Sequence, residues 1–356
     1  MIVVSEGQDP LHATLLVATL SRLMLSVAKE LFPQRAIDFR DCFVGQAGQV
    51  PDEAPAHLGL AQRGSVVDPN TPPFEFPVNK KAVVWADNIA DLVEQAKLGQ
   101  WNAATDIPWD KLRPLPADLE QAVCQICTFM IQNEYLALYL PAKLLTRVDP
   151  RFTEVVLFLA SQVEDEARHV EVFTKRALAN GGGLQYVSAA TEWSLKSLLT
   201  QEDFTSASFL LHILGEGTFM ELLKFLEEVA PDPVTAQIFK MTRQDEGRHV
   251  GYGVSHIAYH LKHDPALVLQ LTQAADARAA FLRQAAGASP FVQQALAVLA
   301  GGGSAPEQIA HGRERVKELY KEMHATRVKR LIQVGFQRGM AERISNLHGG
   351  AVPNFM

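Results

Sequence analysis

A five-residue pattern, Asp-Glu-x-Arg-His, is written twice in this chain: as Asp165-Glu166-Ala167-Arg168-His169 and, 80 residues later, as Asp245-Glu246-Gly247-Arg248-His249. Val170 and Val250 follow the two copies, and each copy has a glutamate on an earlier predicted helix. Glu134 lies 32 residues before Glu166, and Glu216 lies 30 before Glu246. A Glu and a His three positions apart sit about 60° apart around a helix, so both can bind one metal ion. Four carboxylates and two neutral imidazoles carry a charge of about −4, and burying it without cations would cost many kcal/mol. Two divalent metals would neutralise it. A single Glu-x-x-His in a helical chain carries little weight. Repetition with matched upstream glutamates makes the pattern informative.

Two lone glutamates and two Glu-x-x-His pairs on four helices form the ligand arrangement of ferritin-like di-iron and di-manganese bundles. Over residues 117–262 the chain resembles that ferritin-like non-haem di-iron carboxylate family. The resemblance implies an all-α fold: a four-helix bundle with additional N- and C-terminal helices. It also implies a metal set of Glu134, Glu166, His169, Glu216, Glu246 and His249. Two iron ions would occupy it, with dioxygen as co-substrate, although Mn-Fe and Mn-Mn pairs suit the same residues. Zinc is disfavoured because the donors are rich in oxygen and lack thiolate.

Composition sets the outer limits. A hydrophobic content of 47% allows a sizeable core, and the scarcity of alternating apolar runs argues for helices. The formal charge of −7 leaves no basic footprint for nucleic acid. Three cysteines, Cys42, Cys124 and Cys127, make no secreted disulfide framework and fit a reducing cytoplasm. The apolar run 15–27 is interrupted by Arg22 and is too short to span a bilayer. It reads as an amphipathic helix with Leu15, Leu16, Leu20, Leu23 and Val27 on one stripe, so no membrane partner is expected.

Along the chain, a helix is expected near 10–31, an irregular Pro- and Gly-containing stretch over 46–79, and a helix over 81–98. The bundle helices are expected at 117–146, 151–179, 203–229 and 233–262. Asn180-Gly181-Gly182-Gly183 stops the second of these and leads into a crossover segment, 184–200. Pro141, seven residues after Glu134, predicts a kink. Further helices are expected at 265–286, 290–300 and 305–346. Residues 1–116 are therefore read as an extension packed on the bundle, 117–262 as the bundle itself, and 263–356 as a C-terminal helical extension.

Several neighbours of the metal set invite a role. Asp165 and Asp245 stand four residues before their own histidines and are expected to accept the imidazole N–H that faces away from the metal. Arg168 and Arg248 follow the glutamates by two residues, roughly 200° around the helix, which predicts ion pairs on the outer side. His212, one turn before Glu216, is expected to hydrogen-bond around the site rather than to ligate. His256 and His260 continue the His249 face with open roles. Gly215 and Gly217 flank Glu216 inside a helix, where each costs about 1 kcal/mol relative to Ala. Room for a moving carboxylate or a substrate would account for them, and so would close helix packing. Cys124 and Cys127 form a C-x-x-C that is read as core thiols in preference to a redox pair.

The resemblance does not select one branch of the family. Ribonucleotide reductase small subunits usually keep a tyrosine two turns after the first Glu-x-x-His glutamate; here Phe173 holds that offset, and Gly253 holds it in the second copy. Multicomponent hydroxylases often carry a threonine one turn after the third-helix glutamate, where this chain has Met220. Arylamine N-oxygenases commonly have a histidine one turn before the second copy's glutamate, where this chain has Thr242. Iron stores and rubrerythrins are little more than a bundle, whereas most of these 356 residues lie outside 117–262. Such additions make sense as a roof over an organic substrate, and Met130, Leu138, Phe173, Phe209 and Phe219 could line the pocket or serve as core.

The expected function is a non-haem di-iron oxygenase or oxidase acting on a small organic molecule by hydroxylation, N-oxygenation or desaturation. The alternatives are a ferritin- or rubrerythrin-like metal store or peroxide scavenger, and an oxidase like the reductase small subunit. Residues 312–343 carry nine Lys/Arg against four Glu. That face could dock an acidic ferredoxin or reductase, or it could be a solvated helix surface. The chain is compatible with a homodimer.

Overall fold

Helices account for nearly all regular structure in the computed structural model, which describes residues 37–284 and 289–349. Among the described residues no strand forms, and only two isolated bridges occur, Glu53–Lys80 and Val78–Val148. The helix expected near 10–31 lies outside the described residues. We name the helices α1 (Ile89–Leu98), α2 (Ala117–Leu145), α3 (Thr153–Ala179) and α4 (Ala189–Leu199). The next, α5, begins as Phe204–Ser208, passes through π-helical turns over Phe209–Glu216 and continues as Gly217–Val229. Then come α6 (Pro233–His263), α7 (Leu267–Gln284), α8 (Pro290–Gly301), α9 (Pro306–Gln333) and α10 (Arg338–Gly349).

Local chemistry explains most boundaries. Asp118 and Glu120 occupy the first turn of α2 and complement its dipole. Gly181 and Gly183 take positive φ of 80° and 79° just after α3, where only glycine turns without strain. Asp232 caps α6 by accepting from Thr235 N, with Pro233 at the first helical position. Pro141 lies within α2, which runs through it. Three expectations need correction. The 81–98 helix divides into one turn, Lys81–Val84, and α1, because Trp85 is extended. The 305–346 helix divides into α9 and α10 at Gly335, whose φ is 115°. And α5 is not uniformly α-helical: its π turns rotate the chain just before Glu216.

The four long helices α2, α3, α5 and α6 pack as two antiparallel pairs, with α1 laid across α3 and α6. The α8–α9 hairpin covers α2 and the end of α5, while α7 packs on α4 and α10. The apolar core is split in two. One cluster takes Leu136–Leu144, Val155–Leu159, Phe204–Leu214 and Tyr252–Leu261 from the four bundle helices. The other takes Ala122–Ile131, Val172–Ala177, Leu222–Val229 and Val234–Phe239. On every bundle helix the residues between the two clusters include the motif glutamates. The fold thus sandwiches one polar layer between two dry ones.

A buried ion cluster pins three of these helices together at one end. Arg176 of α3 is fully buried, with Nη1 2.6 Å from Glu120 Oε1 on α2 and Nη2 3.2 Å from Asp232 Oδ2 at the head of α6. Truncating one partner of such a pair strands buried charge and typically costs about 3–5 kcal/mol. Arg176→Ala should lose about that much in urea unfolding. Arg343→Ala, which breaks a half-exposed pair with Asp276, should lose only about 0–1 kcal/mol. Equal losses for the two variants would contradict this account of α2–α3–α6 anchoring.

Candidate metal centre

Glu134 comes from α2, Glu166 and His169 from α3, Glu216 from the last π-helical position of α5, and Glu246 and His249 from α6. All six are buried, none more than 5% exposed. They form two overlapping groups. Glu134, Glu166, His169 and Glu246 offer one ligand atom each within 4.8 Å of one another, and so do Glu166, Glu216, Glu246 and His249. Glu166 and Glu246, the two Glu-x-x-His glutamates, belong to both groups. Both imidazoles turn Nδ1 inward. His169 Nδ1 lies 3.2 Å from Glu166 and 3.4 Å from Glu134, and His249 Nδ1 lies 3.1 Å from Glu166 and 3.4 Å from Glu246.

The aspartates lie around the site, but in a crossed arrangement that local spacing hides. Asp245 meets His169 Nε2 at 3.1 Å, and Asp165 meets His249 Nε2 at 3.3 Å. Each motif therefore orients the histidine of the other. The arginines also depart from expectation. Instead of pairing on the outer side, Arg168 and Arg248 are buried and each bridges both aspartates. Arg248 Nη2 lies 2.8 Å from Asp165 and 2.6 Å from Asp245; Arg168 contacts Asp165 and, at 3.1 Å, Asp245. Two residues after α1 complete this belt and were not singled out by the sequence. Trp101 Nε1 donates to Asp245 Oδ2 at 2.7 Å beneath the Arg168 guanidinium, and Gln100 accepts from Arg168 at 2.7 Å. Gly99 is needed here, since a Cβ would stand 2.8 Å from Arg248 Nη1.

On the α5 side a hydrogen-bond chain leads away from the centre. Gln162 Nε2 donates to Glu216 Oε1 at 3.0 Å, Gln162 Oε1 meets His212 Nε2 at 3.2 Å, and His212 Nδ1 meets Ser208 Oγ at 2.9 Å. His212 thus lies beside the metal set and outside both groups. Burial pushes its pKa down to about 3, which keeps it neutral. Gly253 lets it fit, because a Cβ there would lie 2.3 Å from His212 Cβ. Gln162 stands one turn before Glu166, a position that periodicity could have suggested. His256 stacks on Tyr252 and His260 meets Thr205 Oγ1 at 2.9 Å, both away from the ligand groups.

The remaining candidates separate cleanly. Gly217 packs against Arg330, with only 2.6 Å between a built Cβ and Nη1, so close packing accounts for it; Gly215 lines a cavity. Met130, Phe173 and Phe209 are core, while Phe219 lines that same cavity. Cys124 and Cys127 are free, buried thiols. Burial raises Cys124 to about 11 and Cys127 higher still, which disfavours the thiolate that redox exchange needs. Among the basic residues of 312–343, Arg327 is buried and Arg343, Lys317 and Lys321 pair with acids.

Electrostatics test whether these residues suit metal ions. Burial drives Glu134 and Glu216 well above the carboxylate range, and it raises Glu246 with help from Glu166. Glu166 also resists charge through burial, but its contacts with His169 and His249 hold it far below the usual range. Burial opposes protonation of the two histidines, yet Asp245 on His169 and Asp165 on His249 raise both well above 6.5. Glu216 Oε2 and Glu246 Oε2 are buried without a hydrogen-bond partner, and Glu166 Oε1 and His249 Nδ1 face each other at 3.1 Å without hydrogen-bond alignment. Orphaned donor atoms converging in one polar layer fit two divalent cations. The raised groups favour their protonated forms, and a metal must displace those protons, so metal affinity should fall as pH falls. Calorimetry at pH 7 in buffers of different ionisation enthalpy should show net proton release with each metal bound. Uptake without proton release would contradict this electrostatic picture.

No protein-family model matches the chain, and no curated protein matches it. Solved structures do. A point variant of an R2-like ligand-binding oxidase with anaerobically reconstituted Mn/Fe cofactor superposes with a TM-score of 0.53 at 20% identity, covering 71% of this chain and 95% of that one. A second, with aerobically reconstituted Mn/Fe cofactor, gives 0.50 at 17% identity, covering 72% of this chain and 94% of that one. No described helix is long and apolar enough to cross a membrane. The likeness is one of fold: the chain is similar to these proteins in its ferritin-like, R2-type helical bundle.

Proposed function

We propose that this protein is a dinuclear non-haem metal oxidase that uses dioxygen to oxidise a small organic molecule. The observation that carries the reading is the pair of overlapping four-residue groups sharing Glu166 and Glu246 inside a dry bundle. Glu134 and His169 would complete one metal site, and Glu216 and His249 the other. Two iron ions suit the donors, and a manganese–iron pair, as in the similar oxidases, suits them equally. Such a pair, when bound, supplies electrons for dioxygen reduction and oxidising power toward substrate.

The chain's own residues do the rest. Asp245 and Asp165 accept the Nε2–H of His169 and His249, which keeps Nδ1 free as the donor facing inward. Burial opposes the charge on those aspartates, but the two histidines and the arginine belt keep them ionised. Gln162 holds one Glu216 oxygen and leaves the other open. The two apolar clusters keep bulk water from the centre.

A cavity of about 280 Å³ opens beside Gly215, next to Glu216, and beside Asn133, next to Glu134. A metal store needs no such apolar chamber, and this favours substrate oxidation over iron storage or peroxide scavenging. The reaction would be hydroxylation, N-oxygenation or desaturation according to what fills the chamber. Stopped-flow absorbance of anaerobic, iron(II)-loaded protein mixed with oxygen should show a transient visible band whose decay quickens with an organic substrate. Steady uptake of iron beyond two per chain, with only a featureless ferric product, would overturn the oxidase reading in favour of storage.

A further inference from the structure

The cavity beside Gly215 has an unlike lining. Phe129 and Phe219, stacked at 5.9 Å, and Leu214 and Leu222 give it an apolar wall. Arg278 of α7, Arg327 of α9 and His348 of α10 line it as well. Among the described residues the lining holds no aspartate or glutamate, in a chain whose formal charge is −7.

Those two arginines differ from five other inward-facing ones. Arg63, Arg151, Arg168, Arg176 and Arg248 each pair with a buried carboxylate. Among the described residues Arg278 meets Ser194 and Ser197 alone, donating to Ser194 O at 2.8 Å, Ser197 Oγ at 2.5 Å and Ser194 Oγ at 3.1 Å. Arg327, 4% exposed, donates to Thr218 Oγ1 at 3.1 Å and to Ser345 O and Oγ at 3.2 and 3.3 Å. Neutral oxygens fix the direction of each guanidinium without cancelling its charge. Burial brings both down to about 10, and a guanidinium remains a cation there. His348 lies close enough to feel both: burial, with their two charges and against the pull of the nearby Asp276 carboxylate, pushes it to about 4. Two more polar atoms on lining residues, Ser289 Oγ and His348 Nε2, are buried without a hydrogen-bond partner.

A buried guanidinium such as that of Arg327, with no carboxylate partner among the described residues, is expensive unless something of opposite sign completes it. We propose that the cavity binds a small organic acid, its anionic group held by Arg278 and Arg327 and its apolar body packed against Phe129, Phe219 and Leu214. A cavity of about 280 Å³ suits one compact molecule of this kind. The guanidiniums anchor the anion, which leaves the uncharged end to pack on the wall formed by α2 and α5. That this end is the part oxidised rests on the oxidase reading; the binding itself does not.

Matched probes test the proposal. Calorimetry would compare 4-phenylbutanoate with 4-phenylbutan-1-ol, on the protein as purified and on the anaerobic iron(II)-loaded protein, with metal content measured on the same samples. The acid should bind at least about tenfold more tightly than the alcohol, the scale of one charge-assisted hydrogen bond. Arg278→Gln should abolish that preference, and Arg278→Lys should retain part of it. Equal affinity for acid and alcohol, no binding of either, or an undiminished preference in a folded Arg278→Gln protein would overturn it. The wild-type comparison stands even where a variant does not fold. Acid binding without metal would keep this site and sink the metal reading, whereas two metals without acid binding would do the reverse.

Discussion

Four carboxylates in the middle of a helical bundle are the constraint from which the rest of this structure follows. Glutamates in a dry interior are tolerated only when every charge is balanced nearby. The bundle meets that demand by confining polarity to a single layer between two apolar clusters, with each long helix contributing residues to both clusters and to the layer between. Helix length follows from this division. Each helix must run far enough on both sides of the layer to bury an apolar stripe, which the 27 residues of α3 and 31 of α6 allow.

The crossed pairing of Asp165 with His249 and Asp245 with His169 makes the layer one unit rather than two half-sites. Arg168 and Arg248 each touch both aspartates, so the belt links α3 to α6 on the side away from α2 and α5. Trp101 and Gln100 close it from the segment after α1, which gives that region a direct hold on the imidazole orientation. On the opposite side the π turns and the Gln162–His212–Ser208 chain set Glu216, and the cavity lies next to it. One side of the centre is thus charge-compensated, and on the other Gly215, adjacent in sequence to Glu216, lines the cavity.

Legibility followed the range of the interaction. A Glu and a His three apart on one helix are a local fact, so the spacing alone reveals their shared face. The helical fold class and most helix positions were legible for the same reason. The partner of Asp165 lies across the bundle, and nothing in the one-turn spacing to His169 reveals that His249 is nearer. The position of Arg168 was hidden likewise, because its angular offset on α3 ignores the reach of a long side chain toward α6. The π turns left only an indirect trace, Gly215 and Gly217, and composition does not distinguish a widened turn from tight packing. Trp101 is a lone aromatic in a loop, without period or motif to mark it. The breaks at Trp85 and Gly335 depend on single backbone conformations, and the cavity on helices far apart in the chain.

In the proposed centre two metal ions would share Glu166 and Glu246. The most direct test of this sharing is metal stoichiometry, by plasma emission after equilibrium loading with iron(II), on the wild-type chain and on Glu134→Ala and Glu166→Ala variants verified as folded. The shared-carboxylate geometry predicts two ions in the wild type, about one after loss of a terminal glutamate, and fewer than one after loss of a bridging one. A wild-type protein that binds at most one ion, or a folded Glu166→Ala protein that still binds two, would contradict it.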